Sequence, residues 1–398
     1  MDAITTLDDL DCADRRVLVR ADLNLPMTGG QVTDALRIER LAPTVGELCD
    51  RGARVIVISH LGRPKGKVVP ALSLRPVVAP LAAGLGRPVA FAGDCVGPEA
   101  ERAVAALRGG EVVLLENLRF HPGEAANDPE FAAALATLAD AYVNDAFSCA
   151  HRAHASIIAI ARLLPSAVGR GMQAELDHLE QVLERPARPL AAIVGGVKVA
   201  DKLALLDNLS QKVDMLAIGG GMANTFLHAL GVAVGRSLCE RQATDTVRHI
   251  LDRAKRAGCD IVLPTDAVVA PALAEGVEAA VVSIKAVPAD RIIVDVGPAT
   301  AEHLARRLAR CRTCVWNGPL GAFEISPFDA GTAAVARAAA RLTRSGRLIT
   351  VAGGGDTVAA LRHAGVVDDF SYVSTAGGAF LEWLEGKELP GIAALKGA

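Results

Sequence analysis

The sequence predicts an α/β protein made of two doubly wound, parallel-sheet domains joined by a hinge helix. Three observations carry this expectation. Short Val/Ile/Leu-rich runs recur along the chain, each followed by a polar or glycine-rich turn and an amphipathic segment. Near-continuous apolar runs of this kind belong to strands buried on both faces of a parallel sheet. The runs are too many for one comfortable open sheet, and 398 residues suit two domains.

In order, the runs are RVLVR (16–20), RVIVIS (54–59), PVAFA (88–92), EVVLLE (111–116) and AYVND (141–145). After a gap come LAAIVGG (190–196), MLAIGG (215–220), DIVLPTD (260–266), AVVSI (280–284), RIIVDVG (291–297), TCVWNG (313–318), RLITVAGG (347–354) and SYVST (371–375). Within the gap, Met172, Leu176, Leu179 and Leu183 fall at helical spacing, and a Pro-x-x-Pro segment stops the pattern. This places a first Rossmann-like domain at 1–170, an interdomain helix and hinge at 171–189 and a second domain at 190–385.

Composition narrows the class. Hydrophobic residues make up 51% of the chain but aromatics only 3%, so the cores must be built from Ala, Val, Leu and Ile. A net charge of −3 argues against a general nucleic-acid binder. The acidic start MDAITTLDDLDCADRR reads as no signal peptide, and no run approaches the roughly 20 apolar residues of a membrane span. Eight cysteines, scattered singly but for one C-x-x-C pair, fit reduced thiols and a cytoplasmic setting. Cys311-x-x-Cys314 has no matching second pair, so it reads as core beside a helix end.

Nearly every unusual polar string follows directly on a strand: ADLN, SHLGRP, ENLRFHPGE, NDAFSCAHRAH, GGVKVADK, GGGMAN, WNGPLGAFE, GGGDT and STAGG. In open parallel sheets, ligands bind outside the carboxyl ends of the strands. The first half brings Asp22, Asn24, Arg37 (inside a helix that Thr33 or Asp34 caps), His60, Arg63, Arg119, His121, His151, Arg152 and His154. Arginines converging from separate strand ends would form a basic bowl for a small polyanion. Nucleic acid is disfavoured because stacking aromatics are missing. Cys149, His151 and His154 offer three ligands at most, short of a closed zinc site, so Arg152 as an anion ligand is the better reading. Asp145 is a candidate to orient one of these histidines.

The second half supplies glycines and lysines. Glycine turns let backbone N–H groups approach phosphate oxygens, and a following helix adds its dipole. Lys198 and Lys202, four apart, would straddle a phosphate chain. Asp356 is a natural Mg²⁺ partner, and Glu324 suits ribose hydroxyls. There is no G-x-x-x-x-G-K-[ST], no G-x-G-x-x-G after an early strand and no G-x-S-x-G, which excludes P-loop, dinucleotide and hydrolase signatures.

The strings VRADLNLP, SHLGRPKG, ENLRFHPGE, NDAFSCAHRAHAS, GGVKVADK, GGGMANTF, WNGPLGAFE, GGGDT and STAGGAFLEWLEGKELPGI together resemble the phosphoglycerate kinase family across essentially the whole chain. The resemblance implies an enzyme with 3-phosphoglycerate on the first domain, ADP or ATP with Mg²⁺ on the second, and a tail (386–398) returning to the first. It implies substrate contacts from Asp22, Leu23, Asn24, Arg37, His60, Leu61, Gly62, Arg63, Arg119 and Arg152. Nucleotide contacts are implied from Lys198, Lys202, Gly221, Asn317, Glu324, Gly354, Gly355, Asp356 and Thr357, with Asp356 toward the metal. Arg37, Lys198 and the helix start at Gly377 would act on the transferring phosphoryl group. A monomer is expected, without nucleic-acid or membrane partners.

The chain departs from the family pattern at Ala376 and Phe380, where Gly and Ser are usual, at Val197 and at Cys149. The implied reaction moves a phosphoryl group between 1,3-bisphosphoglycerate and ADP, reversibly. The attacking carboxylate is already ionised at neutral pH, so no general base is required. Closure about 169–189 would join the sites and exclude water. The rival readings are a binding module without turnover and another kinase class that uses acyl phosphates.

Overall fold

The computed structural model describes residues 4–396. It divides into two compact units: one runs to Leu176 and takes back the residues from Glu388, the other is Asp177–Lys387.

In the first unit the strands are β1 (Arg16–Ala21), a small hairpin β2 (Met27–Thr28) and β3 (Gln31–Val32), then β4 (Arg54–Ile58), β5 (Val89–Ala92), β6 (Val112–Leu115), β7 (Ala141–Asp145) and β8 (Ser166–Val168). All but the hairpin form one parallel sheet in the order β5-β6-β4-β1-β7-β8. Central β1 is buried from Val17 to Ala21, which is why its sequence shows no polar alternation. Val17, Val19, Val55 and Val57 pack there against Ile38, Leu41, Val45 and Leu48 of the helix Leu36–Asp50. The chain builds outward on one side of β1 and then returns to its other side with β7. The loops after β1 and β7 therefore flank the point where strand order reverses, the usual place for a ligand.

The expected linking helix is Arg170–Leu183, with Met172, Leu179 and Leu183 buried. Its start is held by side chains that the sequence did not mark for this role. Asp145, at the end of β7, accepts the Met172 N–H at 2.7 Å, and Thr44 Oγ1 accepts the Arg170 N–H at 2.7 Å. Burial pushes the Asp145 carboxyl up to about 6, against the pull of bonds from Thr44, Met172 and Gly171. This corrects the expectation that Asp145 orients a loop histidine: its charge meets the N-terminal helix dipole instead. The C-terminal segment packs within this unit, the Gly391 N–H donating to the Ala150 carbonyl at 2.8 Å.

The second unit has β9 (Leu190–Val194), β10 (Met215–Ile218), β11 (Asp260–Val262), β12 (Asp266–Ala270), β13 (Ala280–Ser283), β14 (Ile292–Val296), β15 (Thr313–Asn317), β16 (Ile349–Gly353) and β17 (Tyr372–Ser374). Its parallel sheet runs β11-β10-β9-β15-β16-β17 and again reverses beside the first strand of the unit. The runs at 280–284 and 291–297 do not join this sheet, contrary to expectation. They flank β12 in a separate antiparallel sheet, β13-β12-β14, because no α-helix intervenes to carry the chain back to a parallel start. All eight cysteines are free, and Cys311 and Cys314 are core residues. Among the described residues, no helix is long and apolar enough to cross a membrane.

Candidate functional site

In the first unit the loop after β1 is built around Asp22 and Asn24. Asn24 Oδ1 accepts the Gly62 N–H at 2.9 Å, tying this loop to the one after β4. Asp34 Oδ1 accepts the Leu36 N–H at 2.9 Å at the start of the next helix, and Arg37 follows in its first turn. Arg37 Nη1 lies 2.9 Å from Asp22 Oδ2 and donates to the Asn24 carbonyl at 2.8 Å. Both bonds run through one nitrogen, which leaves the rest of the guanidinium fork for an anion. Ser148 adds a hydrogen bond to Asp22 Oδ2.

Arg119, on the short helical turn after β6, is buried and donates from Nη1 to the Gly62 carbonyl at 2.7 Å. Its Nη2 is buried and has no hydrogen-bond partner among the described residues. Burial and the nearby Arg152 and Arg20 make its protonated form less favourable than usual. A buried charged donor without an acceptor is costly unless a ligand supplies one. Arg63 is exposed on the loop after β4 and makes no described bond.

Beneath these groups lies a network that the sequence reading missed. Arg20, near the end of β1, is fully buried; its Nε donates to Ser156 Oγ at 2.8 Å and its Nη2 lies 3.1 Å from His60 Nδ1. Ser156 donates in turn from Oγ (2.7 Å) and N–H (3.0 Å) to the buried Glu124, which also sits 3.6 Å from His154 Nδ1. Burial, then Arg20, Arg119, Arg152 and His154, drive the His60 pKa well below its ordinary value, so this ring is neutral. His60 is thus part of the floor of the bowl. Leu23 and Leu61 likewise place their side chains in the core, leaving only backbone to face a ligand.

His121 leaves the expected cluster altogether. It pairs with Asp94 at 2.7 Å and stacks on Phe131, because the turn after β6 aims it at the neighbouring loop after β5. Asp22, His60 and Cys149 do place ligand-type atoms within 4.8 Å of one another. Arg20 Nη2, 3.8 Å from Cys149 Sγ, already sets a positive charge there, and burial pushes the Cys149 thiol up. A second cation would meet repulsion and a protonated thiol.

In the second unit the loops after β9, β10, β15 and β16 line a cavity of ≈ 990 Å³ that includes Val197, Lys198, Lys202, Gly221, Glu324 and Asp356. Lys202 Nζ donates to the Gly195 carbonyl at 2.5 Å and to Asn317 Oδ1 at 2.7 Å. Asn317 Nδ2 donates to the Gly353 carbonyl at 2.8 Å, and Thr357 Oγ1 accepts the Gly318 N–H at 2.7 Å. These bonds lock the ends of β9, β15 and β16 together. Gly195 is required because a Cβ there would overlap the Pro319 carbonyl. Burial lowers the Lys202 pKa from 10.5 to about 8, although the Asp356 carboxylate pulls it back up.

Asp356 is exposed in the first turn of the helix Gly355–His363 and makes no described hydrogen bond or ion pair. A free carboxylate on the wall of a lysine-bearing cavity fits a hard divalent cation shared with phosphate oxygens. Lys198 is exposed on the cavity wall. Gly377 begins the helix Gly377–Leu384 and does not line the cavity. The Ala376 departure is harmless: its φ of −97° lies outside the region that favours glycine. Phe380 is fully buried and packs over the backbone at Gly353.

Comparison with known proteins agrees with this layout. The family model described as phosphoglycerate kinase matches residues 7–387. A phosphoglycerate kinase of Methylorubrum extorquens is 61% identical over 392 residues, 98% of each chain. One of Xanthobacter autotrophicus is 58% identical over 396 residues, covering 100% of both. The solved structure of phosphoglycerate kinase from Coxiella burnetii superposes with a TM-score of 0.92 at 42% identity, covering 99% of each chain. That from Pyrococcus horikoshii does so with a TM-score of 0.79 at 29% identity, covering 99% of this chain and 98% of the other. With two reversed parallel sheets, a basic loop cluster on one and a glycine- and lysine-lined cavity on the other, the chain belongs to the phosphoglycerate kinase family.

Proposed function

We propose that the two loop clusters divide one reaction between them: the first unit holds 3-phosphoglycerate or its acyl phosphate, and the second holds ADP or ATP. The enzyme transfers a phosphoryl group reversibly between 1,3-bisphosphoglycerate and ADP. The observation that carries the acceptor site is the buried, unpartnered Nη2 of Arg119, beside Arg20 and Arg152. It is a positive donor waiting for an oxyanion.

In this reading Arg63, Arg119 and Arg152 grip the phosphate and carboxylate of the acceptor, and Asp22 and Asn24 set its hydroxyl and the Arg37 side chain. Leu23, Leu61 and Gly62 shape the loops by backbone alone, and His60 supports them as a neutral ring. Lys202, Gly221 and the Gly354–Thr357 turn hold the nucleotide phosphates, Asn317 fixes Lys202, and Glu324 takes the ribose. Asp356 would hold Mg²⁺, which supplies charge neutralisation when bound. Arg37, Lys198 and the helix start at Gly377 stabilise charge on the transferring group. No residue needs to remove a proton, because the acceptor carboxylate is ionised already. Closure through the 171–189 segment completes transfer; X-ray scattering should report compaction only with both substrates. The proposed setting is a single chain in the cytoplasm, where eight free cysteines persist.

The test is ATP formation from 1,3-bisphosphoglycerate and ADP by the purified protein, with 3-phosphoglycerate competing against other phosphorylated carboxylates. Turnover with preference for 3-phosphoglycerate is expected. Binding without turnover would favour a non-catalytic module, and preference for another carboxylate would favour a different acyl-phosphate kinase.

Lys202 gives a separate expectation. In the free enzyme it loses its proton near pH 8 because burial penalises its charge. Its charged form therefore costs stability at lower pH, and that cost is relieved as pH rises from about 8 toward 10.5. Nucleotide phosphates favour the charged form, so ADP binding at about pH 9 should take up a proton. Calorimetry in two buffers of different ionisation enthalpy reads this directly. Lys202→Met should abolish the uptake and weaken ADP.

A further inference from the structure

Asp295 lines the nucleotide cavity from the end of β14, is almost fully buried, and belongs to none of the contacts assigned above. Its Oδ2 accepts the Gly331 N–H at 2.6 Å, in the first turn of the helix Ala330–Arg344, and its Oδ1 accepts the Val296 N–H at 2.8 Å. It also lies hard against the loop after β15. A Cβ on Gly321 would overlap Oδ1, and one on Gly331 would stand 2.8 Å from both oxygens.

This loop is a wall of the cavity, and it carries Glu324. Its other ties reach the same surroundings. The Ala322 N–H donates to the Val294 carbonyl at 2.9 Å, the Leu320 N–H to Thr332 Oγ1 at 3.1 Å, and the Gly220 N–H to the Leu320 carbonyl at 2.9 Å. Those three ties are neutral; Asp295 makes no described hydrogen bond to the loop itself but packs against Gly321 and, through Gly331, holds the helix start that carries Thr332. We propose that Asp295 is a positioning residue of the nucleotide site, its carboxylate holding the Gly321–Glu324 wall and the adjoining helix start where the bound nucleotide needs them. The proposal rests on the nucleotide reading of this cavity.

The carboxylate form suits the task because both amides donate to it and it meets the positive end of a helix. A neutral carboxyl turns one oxygen into a donor and loses an acceptor. Burial pushes the Asp295 pKa up to about 7, the Gly331 and Val296 N–H groups pull it back, and Asp329 raises it further. Asp329 precedes the helix and is itself paired with His363 at 2.9 Å. β12 sets the apolar Val268 opposite Asp295, the loop adds Glu324, and the helix Gly220–Ala229 packed on β14 adds His228 in its last turn. Nucleotide affinity should therefore carry a dependence on this carboxyl near neutrality.

Asp295→Asn imitates the neutral carboxyl at every pH. The measurement is ADP affinity by direct titration, for variant and wild type, from about pH 6 to about pH 8. The expected ratio of dissociation constants is near one at the acid end and rises to about tenfold at the basic end, the loss of one charged hydrogen bond. The KM for 3-phosphoglycerate should not move, and a partly misfolded preparation would lower kcat without changing either constant. A ratio that stays flat with pH, or an equal change in the 3-phosphoglycerate KM, overturns the proposal. Failure of the wild type to bind ADP would instead remove the nucleotide reading itself.

Discussion

Arg37→Ala should lower kcat by about 10²–10³, the usual loss for one electrostatic contact to a transferring group. The geometry sets this expectation. Arg37 stands in the first turn of its helix with one nitrogen held by Asp22 and the Asn24 carbonyl. A clamp of that kind fixes the direction of the guanidinium before any substrate arrives, and preorganised charge of this sort lowers a barrier without reorganisation at the moment of reaction. Removing it has a second consequence. The Asp22 carboxylate, largely buried, would lose its ion-pair partner and face an anionic substrate unneutralised. The 3-phosphoglycerate KM should rise as well, by less than kcat falls. Arg37→Lys should recover only part of the rate, since a single ammonium cannot both hold Asp22 and address phosphoryl oxygens. Steady-state kinetics in the ATP-forming direction check all three. Unchanged turnover in the alanine variant would remove Arg37 from the mechanism.

What the sequence made legible follows the same physics. Strands of the parallel sheets stood out because burial on both faces leaves uninterrupted Val/Ile/Leu runs, and the chemistry stood out because strand-end loops are polar by contrast. The antiparallel sheet was not legible: AVVSI and RIIVDVG have the same composition as a parallel strand, and β12 was hidden inside PTDAVVAPALA. Side-chain partners far apart in the chain were also out of reach. Arg20 meets Ser156 across 136 positions, and no local pattern encodes that. One signal was available: an arginine within a strand whose neighbours on both sides pair in parallel has no solvent face, so it must be buried and needs partners. His121 is misplaced for the opposite reason: it neighbours Arg119 in sequence, but the turn between them points the two side chains at different loops.

The second large effect is on stability. Glu124→Ala should destabilise the protein by about 3–5 kcal/mol, the range for removing one partner of a buried charged network. Burial alone would raise the Glu124 pKa, yet the His154 ring 3.6 Å away, the charge of Arg20 and the bonds from Ser156 hold it below its ordinary value, so the group is ionised in the fold. Take it away and the buried Arg20 keeps its proton, with Ser156 Oγ left as a relay to nothing. The sign with pH follows. Because the folded pKa is the lower one, the contribution is fully present above the ordinary value of 4.5 and is lost as pH falls through the folded one. Ser156→Ala, which breaks the relay but leaves both charges, should cost less, about 1–3 kcal/mol. The decisive comparison is Arg20→Met with Glu124→Ala: if the two charges stabilise one another, the double variant is less destabilised than the sum of the singles. Urea denaturation measures each. Strict additivity, or a Glu124→Ala variant within about 0.5 kcal/mol of wild type, would show that the floor of the basic bowl does not depend on this buried pairing.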